Sequence, residues 1–255
     1  MSGEPVRREE IALTKELARR LQKKFPKFQV YANKCPSRGK KVRERWLKVF
    51  EEVCPPLQPE IDIIIFEPPN IHVLPRKPKI RAIEIKYFKK TDGNINQSFY
   101  KGIEQSLALL QWGFDNVGLW QLFDETLSDD DIRNYGCKTW AYIHGLLGLP
   151  IEFTPIKLIG QEINRMRFQV IQADWLHNLR PLPLLDLDSP EFHITYSHYN
   201  PLIEKQKFLE QFTFRPQIGN EVIILPGASK LVKEVTTLRR FLLDWLPKQK
   251  SGLNE

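Results

Sequence analysis

Charged residues stand where the chain is otherwise most apolar, and three of them could act together. Asp62 lies in the run 61–66, and Glu84 and Lys86 lie in the run 80–88; both runs are rich in isoleucine. A proline-studded connection separates them. Such runs, bounded by Pro and Asn, predict buried strands. A carboxylate inside a buried strand is costly unless it is paired or binds a metal. Side chains two apart on a strand share a face, so Glu84 and Lys86 point the same way. If the two strands pair, Asp62 comes up beside them at the end of the sheet. Two carboxylates with a lysine alongside are the minimum set for divalent-metal hydrolysis of a phosphodiester. The acids hold the cation, and the lysine offsets charge building on phosphorus.

The set Asp62…Glu84-Ile85-Lys86 resembles the PD-(D/E)xK nuclease superfamily, the restriction-endonuclease-like fold. That motif is an Asp on one strand and an acid-x-Lys on the next. Here Pro59 stands three residues before Asp62 rather than directly before it. An E-x-K tripeptide alone is common in charged helices; this one gains weight from its setting in IRAIEIKYF, after a second acid in an equally apolar run. The resemblance implies a Mg²⁺-dependent DNA nuclease, with Mn²⁺ able to substitute. Asp62 and Glu84 would hold one or two Mg²⁺ ions, the Ile85 carbonyl would be a further hard oxygen ligand, and Lys86 would orient a water or help deprotonate it. In the superfamily the first helix often brings a glutamate to the metal, and Glu10 is the position onto which the resemblance carries that role. The segment GIEQSLALLQWGFDNVGLW is similar to the RecB-like branch, whose helix carries Gln-x-x-x-Tyr. Gln105 matches, and Leu109 stands where the tyrosine would be. Gln105 is therefore a candidate for the catalytic set, and Tyr100 for contact with the substrate. Two other readings stay open: an edge hairpin with its charges in solvent, and a non-cleaving nucleic-acid-binding protein on a nuclease-like scaffold.

The elements that must position these residues are legible in part. Residues 5–25 read as an amphipathic helix with Leu13, Leu17 and Leu21 on one stripe. Glu10 falls three residues before Leu13 and shares that stripe, whereas Glu9 and Glu16 project toward the polar sides. Residues 28–31 read as a first strand. After the lysine strand come a polar turn at 91–96, a helix at 97–112 and a strand at 117–123. The expected class is α/β (α+β): a restriction-endonuclease-like αβββαβ core with a mixed central sheet flanked by helices, followed by a C-terminal extension. We expect the core in residues 1–125 and the extension, for substrate recognition or dimerisation, in 126–255.

Charge is distributed unevenly. The net charge is +7, and residues 1–125 hold 23 Lys and Arg against 16 Asp and Glu, whereas residues 126–255 hold 15 of each. A basic field beside a cleft concentrates a polyanion. Residues 34–48 contain seven basic side chains and one acid. Lys34, Arg38, Lys40, Lys41, Arg43 and Arg45 are candidates for gripping DNA phosphates. A short helix is expected at 42–53, with Trp46 anchoring it in the core.

The second half is less informative. Residues 127–131 read as acidic and turn-like, 153–159 and 166–172 as strands, 180–190 as irregular, and 229–246 as a helix with Leu231, Val235, Leu238, Leu242 and Trp245 on one stripe. That stripe serves a core or, less often, a homodimer face. His193 and His198 have no evident third ligand, so a structural role is expected. The N-terminal segment lacks a signal-peptide core and no apolar run has the length of a membrane span, so an intracellular, cytoplasmic protein is expected. Three widely spaced cysteines indicate neither a disulfide framework nor a zinc site.

Overall fold

The computed structural model describes residues 3–36, 44, 60–68, 78–110, 112–173, 175, 181–194, 217–218, 221–222, 239–249, 251 and 253. Of the expectations above, Arg38, Lys40, Lys41, Arg43, Arg45, Trp46, the helix at 42–53, His198 and most of the helix at 229–246 lie outside these residues. The chain is a mixed α/β structure around one seven-stranded sheet. Its strands are β1 (Gln29–Lys34), β2 (Ile61–Glu67), β3 (Lys79–Phe88), β6 (Asn116–Phe123), β7 (Ile151–Ile159), β8 (Arg167–Ile171) and β9 (Leu184–Asp186), side by side in that order. The central pairs β3–β6 and β6–β7 are parallel; β1–β2, β2–β3, β7–β8 and β8–β9 are antiparallel. Two-residue strands β4 (Lys90–Thr91) and β5 (Asn94–Ile95) form the small turn after β3, and β10 (Gln217–Ile218) pairs with β11 (Glu221–Val222).

Helix α1 (Gly3–Lys24) covers one face of the sheet. Its stripe of Leu13, Leu17, Ala18 and Leu21 is buried against Ile63, Ile65, Ile83 and Ile85. Each leucine removed from water in this way contributes about 1.5–3 kcal/mol. Glu16 departs from the expected polar side: it is buried beneath Arg19 and Arg20, whose guanidiniums donate to its carboxylate at 2.8 Å. Burial alone would raise its pKa, but the two arginines outweigh this and hold the carboxyl below its ordinary value.

Helix α2 (Ile103–Leu110) lies on the opposite face, where Ile103, Leu109 and Leu110 pack with Ile64, Ala82 and Leu119. It is shorter than the expected 97–112. Gly102 sits at φ +92°, which a helix cannot use, and the Asn96 and Gln97 side chains instead donate to the carbonyl of Tyr87. Leu109, in the place of the expected tyrosine, is a core residue.

The acidic stretch expected as a turn opens α3 (Asp129–Trp140). Ser128 caps the helix and Asp131 reaches back to the Ser128 backbone, a reciprocal capping box. Asp129, Asp130 and Asp131 in the first turn suit the positive end of the helix dipole. A π-helical turn, Ala141–Leu146, continues from it.

The sheet continues past residue 125. Strand β7 extends it in parallel beside β6, and β9 forms within the stretch expected to be irregular. Residues 239–245 are helical and bury Phe241, Leu242 and Trp245 in the same core as α2. Arg239 fastens this segment: its Nη1 donates to Asp115 Oδ2 at 2.7 Å and to the Gly113 carbonyl, and its Nη2 to the Pro78 carbonyl. Among the described residues, no helix is long and apolar enough to cross a membrane.

Candidate active site

The site forms where β2 stops pairing with β3. The antiparallel ladder runs from Glu67↔Lys79 to Ile63↔Ile83 and ends there. One further step of that register sets Asp62 against Glu84. Strand β3 runs on beyond its neighbour, so the backbone N–H groups on its open edge need other acceptors. Carboxylates supply them. Ile85 N–H donates to Asp62 Oδ2 at 2.8 Å, and Tyr87 N–H donates to Glu10 Oε2 at 3.0 Å. Unpaired backbone donors thus draw Asp62 and Glu10 to the stretch of β3 that carries Glu84.

Lys86 lies among them. Its Nζ is 2.8 Å from Glu84 Oε1 and 3.8 Å from Glu10 Oε1. Glu84 is 2% exposed and Lys86 is 7% exposed, and Asp62 is intermediate in exposure. Burial pushes Glu84 up to about 8, reinforced by the charges of Asp62 and Glu10 and opposed by Lys86. Burial likewise pushes Asp62 up to about 6, against the pull of Lys86 and the Ile85 N–H. For Lys86, burial favours the neutral amine, but Glu84, Glu10 and Asp62 outweigh it and raise its pKa. The lysine is therefore a fixed cation, and the carboxyl pair is where protons are exchanged.

The structure brings Glu10, Asp62, Glu84 and Lys86 together. Lys34 is close in register: it is paired with Ile61, the neighbour of Asp62. Lys34 and Ile61, which bound the basic segment in sequence, thus both lie at the sheet end that carries the acids. Gln105 is half-buried on α2, and Tyr100 is exposed on the turn before that helix. His193 is exposed, away from this cluster on the segment after β9.

A residue that sequence reasoning missed is Gln121. It is wholly buried on β6, paired in register with Lys86. Its Nε2 donates to the Phe99 carbonyl at 2.9 Å, and Thr139 Oγ1 donates to its Oε1 at 3.3 Å. The signal was there: an amide inside the apolar run VGLWQLF must find partners if buried. The turn it holds ends at Gly102, where an added Cβ would come 2.8 Å from Lys86 Cγ. The stem of the lysine thus packs directly against that glycine.

Glu10, Asp62 and Glu84 offer hard carboxylate oxygens, with one lysine to offset three negative charges. That donor set suits Mg²⁺ or Mn²⁺, and contains no soft thiolate or imidazole. As placed, no group of three or more His, Cys, Asp or Glu side chains among the described residues is arranged to hold a metal ion. Comparison of the chain with protein-family models, with curated proteins and with solved structures finds no match.

Proposed function

We propose that the protein is a Mg²⁺-dependent DNA nuclease, built on the restriction-endonuclease-like core, that hydrolyses phosphodiester bonds through Asp62, Glu84 and Lys86. One observation carries this reading: buried Glu84 and Lys86 and the partly open Asp62 meet at the end of a strand whose partner has just diverged. A purely structural ion pair does not need a second buried acid, whose charge only raises the first. The divalent cation, when bound, would polarise the scissile phosphate and acidify a water. Asp62, Glu84 and the Ile85 carbonyl would hold it, with Glu10 completing the set.

The chain's own groups have distinct tasks in this scheme. Lys86, kept protonated by its acid neighbours, donates hydrogen bonds to a phosphate oxygen or to the attacking water and offsets charge growing on phosphorus. The Ile85 and Tyr87 N–H groups hold Asp62 and Glu10 in place before substrate arrives. Basic residues of the loop after Lys34 would grip the DNA backbone.

The test is cleavage of supercoiled, linear, single-stranded and branched DNA with Mg²⁺, with Mn²⁺ and with EDTA. Metal-dependent products are expected, and Asp62→Asn should lose them while keeping the folded circular dichroism spectrum. If no DNA form is cleaved with either metal, the nuclease reading falls and a non-cleaving nucleic-acid-binding protein takes its place.

A further inference from the structure

The turn that carries Gly102 presents an aromatic cluster next to the site. Phe99 lies edge-to-face with Tyr100 at 5.4 Å between ring centroids, and with Tyr142 at 6.1 Å. Tyr100 is 54% exposed and Tyr142 is 36% exposed. Phe99 thus joins the two exposed rings into one aromatic patch. Lys101 adjoins Tyr100, and Lys138, one turn before Tyr142, is also exposed.

This cluster is held rigidly. Gln121 Nε2 donates to the Phe99 carbonyl at 2.9 Å, and the Thr139 hydroxyl, whose single proton is shared among neighbouring acceptors, lies 3.0 Å from that carbonyl and 2.9 Å from the Tyr135 carbonyl. Gln97 donates to the Tyr87 carbonyl at 2.7 Å, and Tyr135 Oη donates to the Gln97 carbonyl at 3.2 Å. The turn is therefore tied to β3, to β6 and to α3. It also touches the site itself, because Gly102 packs on the stem of Lys86 only two residues after Tyr100.

We infer that Tyr100 and Tyr142 form a stacking platform for unpaired bases of the strand whose phosphate is presented to Lys86. This inference rests on the nuclease reading and narrows its substrate to DNA with a single-stranded segment: a free strand, an overhang or a branch point. Every base has a π-face, so such a platform tolerates any sequence, and lysines beside the rings suit the flanking phosphates. In a blunt duplex the bases are stacked on each other and cannot reach these rings. Pre-ordering of the turn means that little conformational freedom is lost on binding.

The experiment measures binding to the full chain in EDTA, so that cleavage does not intervene. The probes are a single-stranded oligonucleotide containing 2-aminopurine and a blunt duplex of equal length. Binding of the single strand should quench the 2-aminopurine emission. Tyr100→Leu and Tyr142→Leu should each weaken it by about five- to 150-fold, the range for loss of one base–aromatic stack. Tyr100→Phe should stay within about twofold, and duplex affinity should not change. Both tyrosines are exposed, so the variants should keep the parent melting temperature. An equal loss on duplex and single strand would overturn the platform, as would no loss on either. It would also be overturned if the leucine variants dissociated a dimer in sedimentation while oligonucleotide binding stayed the same, since the patch would then serve a second copy of the chain. Cleavage of single-stranded and branched DNA unaffected by the leucine substitutions would sink the platform and leave the nuclease; stacking without cleavage under any metal would do the reverse.

Discussion

Glu84 should make the metal-free protein less stable as pH rises. Its carboxyl has an ordinary value of 4.5 and is pushed up to about 8 in the folded protein, first by burial and then by the charge of Asp62. Between these two values the unfolded chain has released the Glu84 proton and the folded protein retains it. The folded state binds more protons, so stability falls with rising pH across that window and levels off once the folded value is passed. At about 1.4 kcal/mol for each tenfold change, the interval corresponds to about 5 kcal/mol. That is a large part of the 5–15 kcal/mol that is typical of a folded domain. Asp62 titrates in the same direction from 3.8 to about 6, so the two acids ionise as a linked pair and Glu84 is expected to ionise last. The assay is equilibrium urea unfolding from pH 5 to pH 9 in EDTA, for the parent and for Glu84→Gln. Groups remote from the site titrate equally in both proteins, and the difference between the two curves isolates Glu84 together with its linkage to Asp62 and Lys86. The parent should lose several kcal/mol relative to the variant, most of it below pH 8. Addition of Mg²⁺ should flatten the difference, because a cation binds the ionised carboxylates and lowers both pKa values. A parent-minus-variant difference that stays level from pH 5 to pH 9 would refute the burial argument.

Three other outcomes are expected. Glu10→Gln should raise the Mg²⁺ concentration needed for half-maximal cleavage, whereas Glu9→Gln, whose partner is Lys89, should not; Glu16 would be a poor control because it is buried beneath Arg19 and Arg20. Gly102→Ala should destabilise the fold by about 1–2 kcal/mol, from its left-handed backbone alone. It should also lower the cleavage rate at saturating DNA, as the new methyl displaces the Lys86 stem. A full rate in a folded Gly102→Ala protein would mean that the turn does not position the lysine. Neutralising Lys40, Lys41 and Arg43 together should reduce the salt dependence of DNA affinity by about one unit of slope per lost phosphate contact, measured by titration at several salt concentrations.

Local patterns in the chain were sufficient for the parts that repeat. The isoleucine-rich runs around Asp62 and Glu84 became β2 and β3, and the leucines four apart became the buried stripe of α1, because periodic apolar residues specify which face is covered. Glu10 could be placed on that stripe by counting. Acid-rich residues 127–131 were harder: three aspartates suggest solvent and a turn, yet the serine before them caps a helix that their charges also stabilise.

What only the folded chain decided is where the strands stop pairing. Nothing in IDIIIFE or KIRAIEIKYF states that the ladder ends at Ile63↔Ile83, since pairing length depends on where the neighbouring strand turns away. That termination leaves the N–H groups of Ile85 and Tyr87 open, and they draw in carboxylates from residues 62 and 10. Gln121, in register with Lys86, came to light the same way, because parallel neighbours are joined through a long connection. Residue type could mark these side chains as costly to bury, but their convergence is a property of register, which belongs to two strands at once.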